Sequence, residues 1–142
     1  MAVRLTCNET HYNAFDAFTV ENQEVITEGM VISCSGTKAT SAYNPIAGIS
    51  VTNQENLYQG ASCAYNGIVL LLVWFNGADG INLCDKLIVD ESHPGYATPW
   101  LGQIDCQRVV AESLVAVTSG STDDTALITA KIVNYYTCTR VG

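Results

Sequence analysis

Only two histidines occur in the 142 residues, His11 and His93, so acid–base or nucleophilic chemistry has few places to reside. His93 lies beside Ser92 and follows Asp90-Glu91, which assembles the residue types of a serine hydrolase. Adjacency in sequence is not triad geometry, and no G-x-S-x-G elbow is present, so a solvated turn at Pro94 is the simpler reading. Asp79, Asp85, Asp90 and Glu91 are close enough to suggest a cation site. The D-x-[DN]-x-[DN]-G spacing of a calcium loop is missing, which favours an acidic rim. Asp123-Asp124 sits among Ser, Thr and Gly and reads as a hairpin tip. Neither glycine-rich phosphate motif is found. The expectation is a protein that is not an enzyme, with no catalytic residue, no metal site and no cofactor.

The six cysteines, Cys7, Cys34, Cys63, Cys84, Cys106 and Cys138, are spaced widely and form no CxxC pair, so structural zinc has no support. The first 20 residues lack the apolar core of a secretory signal, which points to synthesis in a cytoplasm, where disulfides are rare. Several cysteines lie in apolar segments, so buried thiols are expected, with bridges formed after lysis as the alternative.

Net charge is −8, and the six basic residues are scattered. They could not neutralise a run of phosphates, so neither nucleic acid nor an anionic membrane is an expected partner. Charged residues make up only 14% against 48% hydrophobic, which hints at a surface partly covered by another protein.

Residues 67–90 organise the chain. Eight consecutive apolar residues, 68–75, are too few to span a membrane. They are also too β-branched and aromatic, and too tightly bounded by Gly67 and Asn76-Gly77, for a helix. They read as a strand buried on both faces, followed by a turn and a strand near residues 86–89 that returns beside it. Trp74 falls in this run and is expected in the core. Earlier, Met30-Val31-Ile32-Ser33-Cys34 and residues 46–51 read as strands, Gly48 marking a bulge or a close backbone approach. Residues 108–117 and 125–136 read as a closing hairpin, the second alternating with one face more apolar. The segment 26–32 echoes 83–89, Lys38-Ala39-Thr40 echoes Tyr96-Ala97-Thr98, and 45–49 echoes 99–104. The fold class is therefore all-β: a small β-barrel or β-sandwich built from two similar β-meander units. Residues 1–24 precede it as an N-terminal arm, ordered against a neighbour or folded as a first strand onto the single domain of residues 25–142.

This order of segments resembles the head decoration, or capsid cement, proteins of tailed bacteriophages. Glu28-Gly29-Met30-Val31-Ile32, Ile46-Ala47-Gly48-Ile49 and Cys84-Asp85-Lys86-Leu87-Ile88 carry the match, which covers roughly residues 25–133. The resemblance implies a β-tulip-like domain that forms homotrimers and binds the major capsid protein on the outer surface of an expanded head. There it would oppose the pressure of packaged DNA, many copies multiplying a modest energy. It also makes the arm the capsid contact, with Tyr12, Phe15 and Phe18 as apolar anchors. Trp100 is either core or a further exposed anchor. The six cysteines and the polar loop 52–59 depart from shorter family members and leave the contact map open. The competing reading is a soluble carbohydrate- or ligand-binding β-sandwich, an adhesin or tail-associated module, with Tyr96 and Trp100 forming an aromatic platform.

Overall fold

The computed structural model describes residues 3–5, 16–102 and 106–137. Strand accounts for 46% and helix for 1%, so the chain is all-β. In chain order the strands are β1 (Val3–Leu5), β2 (Ala17–Val20), β3 (Val31–Ser33), β4 (Ile46–Ser50) and β5 (Ala61–Ala64). There follow β6 (Ile68–Phe75), β7 (Lys86–Val89), β8 (Ala97–Pro99), β9 (Arg108–Ser113) and β10 (Asp124–Tyr136). One sheet runs β1-β10-β6-β8-β7-β9 and closes because β9 also pairs with β10, giving a five-stranded barrel. The other is an antiparallel sheet in the order β2-β5-β4-β3.

Barrel closure depends on the length of β10. Its 13 residues serve two neighbours in succession, Asp124 to Lys131 pairing with β6 and Ala130 to Tyr136 with β9. Both segments of the expected closing hairpin are thus present, although β9 ends at Ser113 and Val117 bridges Ile81 instead. Parallel β1 lies against β10 at Thr125 to Leu127. Within residues 1–24, then, β1 pairs with the barrel and β2 with the second sheet, so folding onto the domain holds for these two stretches.

β6 is buried along nearly its whole length, as its unbroken apolar run requires. Val69, Leu71, Val73 and Phe75 enter the main core with Ile128, Val110, Leu87 and Val31. Leu72 points the other way, into a second cluster with Ile26, Met30, Ile32 and Cys63. Trp74 departs from expectation, because it is only partly buried. The returning strand also differs: β8, parallel to β6 through Val73 and Ala97, intervenes between β6 and β7. The connection 76–85 carries the chain past the place that β8 later fills, and 90–96 then returns it between the two strands.

The two sheets are stitched by backbone bonds at glycines. The amide of Leu72 donates to the Gly29 carbonyl at 2.9 Å, and Gly29 in turn donates to Ser50 at 2.8 Å. Gly29 has φ +91°, and a Cβ there would stand 2.6 Å from Leu127 Cδ1, so no larger residue fits. Gly48 is the close approach expected of it, since a Cβ would meet the Ala64 carbonyl at 2.3 Å. The repeat is visible as β3 and β7, each bridged by the segment that follows: Ile32 to Lys38, and Val89 to Ala97.

Leu71 is fully buried at the centre of β6. Leu71→Ala should cost about 2–5 kcal/mol, read from the midpoint of urea unfolding at unchanged slope. A loss under about 1 kcal/mol would mean that β6 is not the structural centre.

Candidate functional site

The grouping around His93 is a turn, as expected, with Glu91, Ser92 and Pro94 exposed and His93 half-buried, and it is not a completed triad. Gly95 donates to Ala39 and accepts from Val31, which folds the 90–96 excursion back onto β3. His93 is thereby laid flat on Trp74, ring centroids 3.4 Å apart and planes within 9°, with Tyr96 edge-on to the same indole at 5.3 Å. Its Nδ1 is 2.9 Å from Asp90 Oδ2. Among the described residues no hydroxyl or thiol is hydrogen-bonded to the ring. The ring is a packing element oriented by Asp90.

The acidic residues of this region act as local acceptors. Asp90 Oδ1 accepts from the amide of Ser92, Asp85 Oδ2 from that of Asn82, and Glu91 Oε2 from that of Ala42. Among the described residues no group of three or more His, Cys, Asp or Glu is placed to hold a metal ion. The two aspartates close local turns, as short polar side chains do, whereas Glu91 reaches the segment between β3 and β4.

Of the expected contact residues, Tyr12 and Phe15 lie outside the described residues. Phe18 sits on β2, an edge strand with no charged residue, and is 44% exposed. Its ring lies 5.9 Å from that of Tyr65, which is 50% exposed, so two aromatics share one exposed patch. Trp100 belongs elsewhere. It packs on the cluster of Ala42, Ile88 and Val109, and the Lys86 ammonium stands 5.3 Å from the centre of its ring. Lys86 also approaches Tyr135 at 5.8 Å. Tyr96 packs in a different cluster from Trp100, and the two do not form one platform.

Beside the Phe18–Tyr65 patch runs a groove of about 150 Å³ at the seam between the two sheets. Ile46 and Ala47 of β4, Tyr65 after β5, Arg108 of β9, and Val133 and Asn134 of β10 line it. Two β-bulges shape it. Ile32 pairs with Gly48 and Ser33 with Ile46, leaving Ala47 as the extra residue. Ile132 pairs with Ala111 and Tyr135 with Val109, which places a second irregularity at Val133-Asn134. Bulges re-aim side chains and recur beside functional sites. Tyr65 and Arg108 were not singled out in the sequence. The only signals were an aromatic just before the Asn66-Gly67 turn and a lone cation at the start of an apolar strand.

No protein-family model matches the chain, and no curated protein matches it in sequence.

The described thiols differ in environment. Cys34, Cys84 and Cys106 are exposed, contrary to the expectation of buried core thiols, and only Cys63 is buried. Cys84 and Cys106 stand at φ +69° and +62°, in a turn and a bend outside the strands. Burial pushes the Cys63 thiol up to about 11. Iodoacetamide at pH 8 should therefore alkylate Cys34, Cys84 and Cys106 well before Cys63, scored by peptide mass spectrometry. Equal rates at all four would refute this arrangement.

Tyr135 donates to Glu112 Oε2 at 2.6 Å. Burial, then this bond and the Glu112 charge, push the phenol up to about 12. The folded state holds the proton more tightly than the unfolded chain, whose tyrosines ionise near about 10. The resulting stabilisation is complete below about pH 10 and is lost as pH rises through about 12. Thermal midpoints should fall more steeply for the native chain than for Tyr135→Phe over that window.

Proposed function

We propose that this chain is a viral capsid decoration protein, one that binds the outer surface of an expanded phage head and stabilises it against internal DNA pressure. The observation that carries the reading is the exposed Phe18–Tyr65 pair, Phe18 on the uncharged edge strand β2 and Tyr65 just after β5, beside a groove between two sheets. Aromatic anchors in such a setting supply contact area at little entropic cost, and charged residues are depleted at interface cores. The all-β frame suits the task, because a closed barrel offers few free edges and resists deformation. The order of strand motifs along the chain supports the same reading. The proposed partners are the major capsid protein and two further copies of the chain, in a homotrimer that assembles in the host cytoplasm and acts on the virion. The work is contact, with no reaction to catalyse.

A carbohydrate-binding module is the weaker reading, since the platform it calls for would need Tyr96 and Trp100 side by side, and they pack apart.

Purified chain mixed with expanded heads should cosediment with them, and light scattering should give the mass of a trimer. Phe18→Ser combined with Tyr65→Ser should lower the bound fraction about tenfold or more while leaving the melting curve of the free protein in place. A monomer that ignores heads would sink the proposal.

A further inference from the structure

We infer that the groove between the sheets is a recognition site for a carboxylate carried next to an apolar side chain of a partner protein. Arg108 lines this groove, and its Nε is buried without a hydrogen-bond partner. Among the described residues no carboxylate pairs with it, in a chain that carries 14 acidic residues and only six basic ones. A buried donor left unmade is costly, and native structures rarely retain one without a reason. Guanidinium groups meet carboxylates in a two-pronged fork, and a turn of the Arg108 side chain into the groove would let Nε, which has almost no accessible surface as it stands, supply one prong of it. Apart from Asn134, the remaining lining is apolar or small, with Ile46, Ala47, Val133 and the ring of Tyr65 supplying most of it. A ligand that satisfies both features has a negative end and an aliphatic body.

The construction of the site is specific. Both bulges, at Ala47 and at Val133-Asn134, open onto this one groove, and a regular ladder at either place would turn those side chains to the opposite face. Backbone bonds hold the frame beneath: Arg108 donates its amide to Ala42 at 2.8 Å, and Ile132 donates to Gly67 at 2.9 Å where the β10–β6 ladder ends. Tyr65 joins the groove to Phe18, so a partner segment seated here would also cover the exposed aromatic pair. The overall negative charge repels carboxylates at long range, so recognition is local to Arg108 and weakens little with salt if the pair is desolvated.

Both the end of a partner chain and an acidic side chain carry such a carboxylate, and the titration separates the two. Isotopically labelled full-length protein is titrated with three acetylated dipeptides and followed by amide resonances. They are alanyl-leucine with a free α-carboxylate, leucyl-glutamic acid with a side-chain carboxylate and amidated end, and alanyl-leucine amide with no charge. The amides of Ala47, Gly48, Tyr65, Arg108 and Asn134 should shift with at least one acid, and the stronger acid identifies the source. The neutral peptide should bind about tenfold more weakly or worse. Arg108→Gln should erase that preference, and Arg108→Lys should keep part of it. Shifts absent from these residues, equal binding of acid and amide, or a preference that survives Arg108→Gln would each overturn the inference. It rests on the docking reading above only for the nature of the partner. Peptides replace the capsid, so failure here leaves head binding untouched, and failure of head binding leaves the groove untouched.

Discussion

The pairing of β6 with β10 is the interaction on which the rest depends. Eight consecutive residue pairs, from Asp124 with Phe75 to Lys131 with Ile68, join the most apolar strand to the longest one. β6 alone would be an aggregation hazard, because a bare apolar strand offers unpaired donors and acceptors to any neighbour. Against β10 on one edge, and β8 with the Gly29 loop on the other, its backbone groups find partners. Its two faces feed two different clusters, so one strand glues barrel and sheet together.

Consequences for function follow from that central position. The chemistry-bearing residues near β6 are spent on packing: His93 covers Trp74, and Asp90 and Glu91 terminate backbone amides. What remains available lies at the periphery, where the second sheet meets the barrel. There an edge strand, two bulges and a guanidinium whose buried Nε has no partner among the described residues coincide. Of the three register shifts in the described ladders, one is between Leu87 and Ile88 of β7, and the other two lie where contact with another molecule is proposed. That is the expected place for a fold to give up local regularity.

The cysteines illustrate the limit of reading environment from neighbours in sequence. Cys84 follows Asn82-Leu83 and looks like a strand residue, yet it adopts a left-handed turn conformation, and Leu83 beside it is 62% exposed. Cys63 is buried because alternation along β5 sends it inward between Ile32 and Leu72. Trp100 likewise could be read as core or anchor from its neighbours alone. It packs on Ile88 and Val109 with Lys86 over its ring, a position set by two separate strands, β7 and β9.

The sequence by itself determined the all-β class, the buried strand at residues 68–75, the long alternating strand near the C-terminus and the close approach at Gly48. These are local properties, because apolar periodicity and glycine geometry act within a few residues. Only the tertiary structure decided that β8 intervenes between β6 and β7, that β10 serves two neighbours, and that His93 lies on Trp74. It also decided that Ala47, Tyr65, Arg108 and Val133 share one groove. Those four residues come from four parts of the chain, and they meet because bulges shift the register by one residue. Register is a property of two strands at once, so neither strand's sequence reveals it alone.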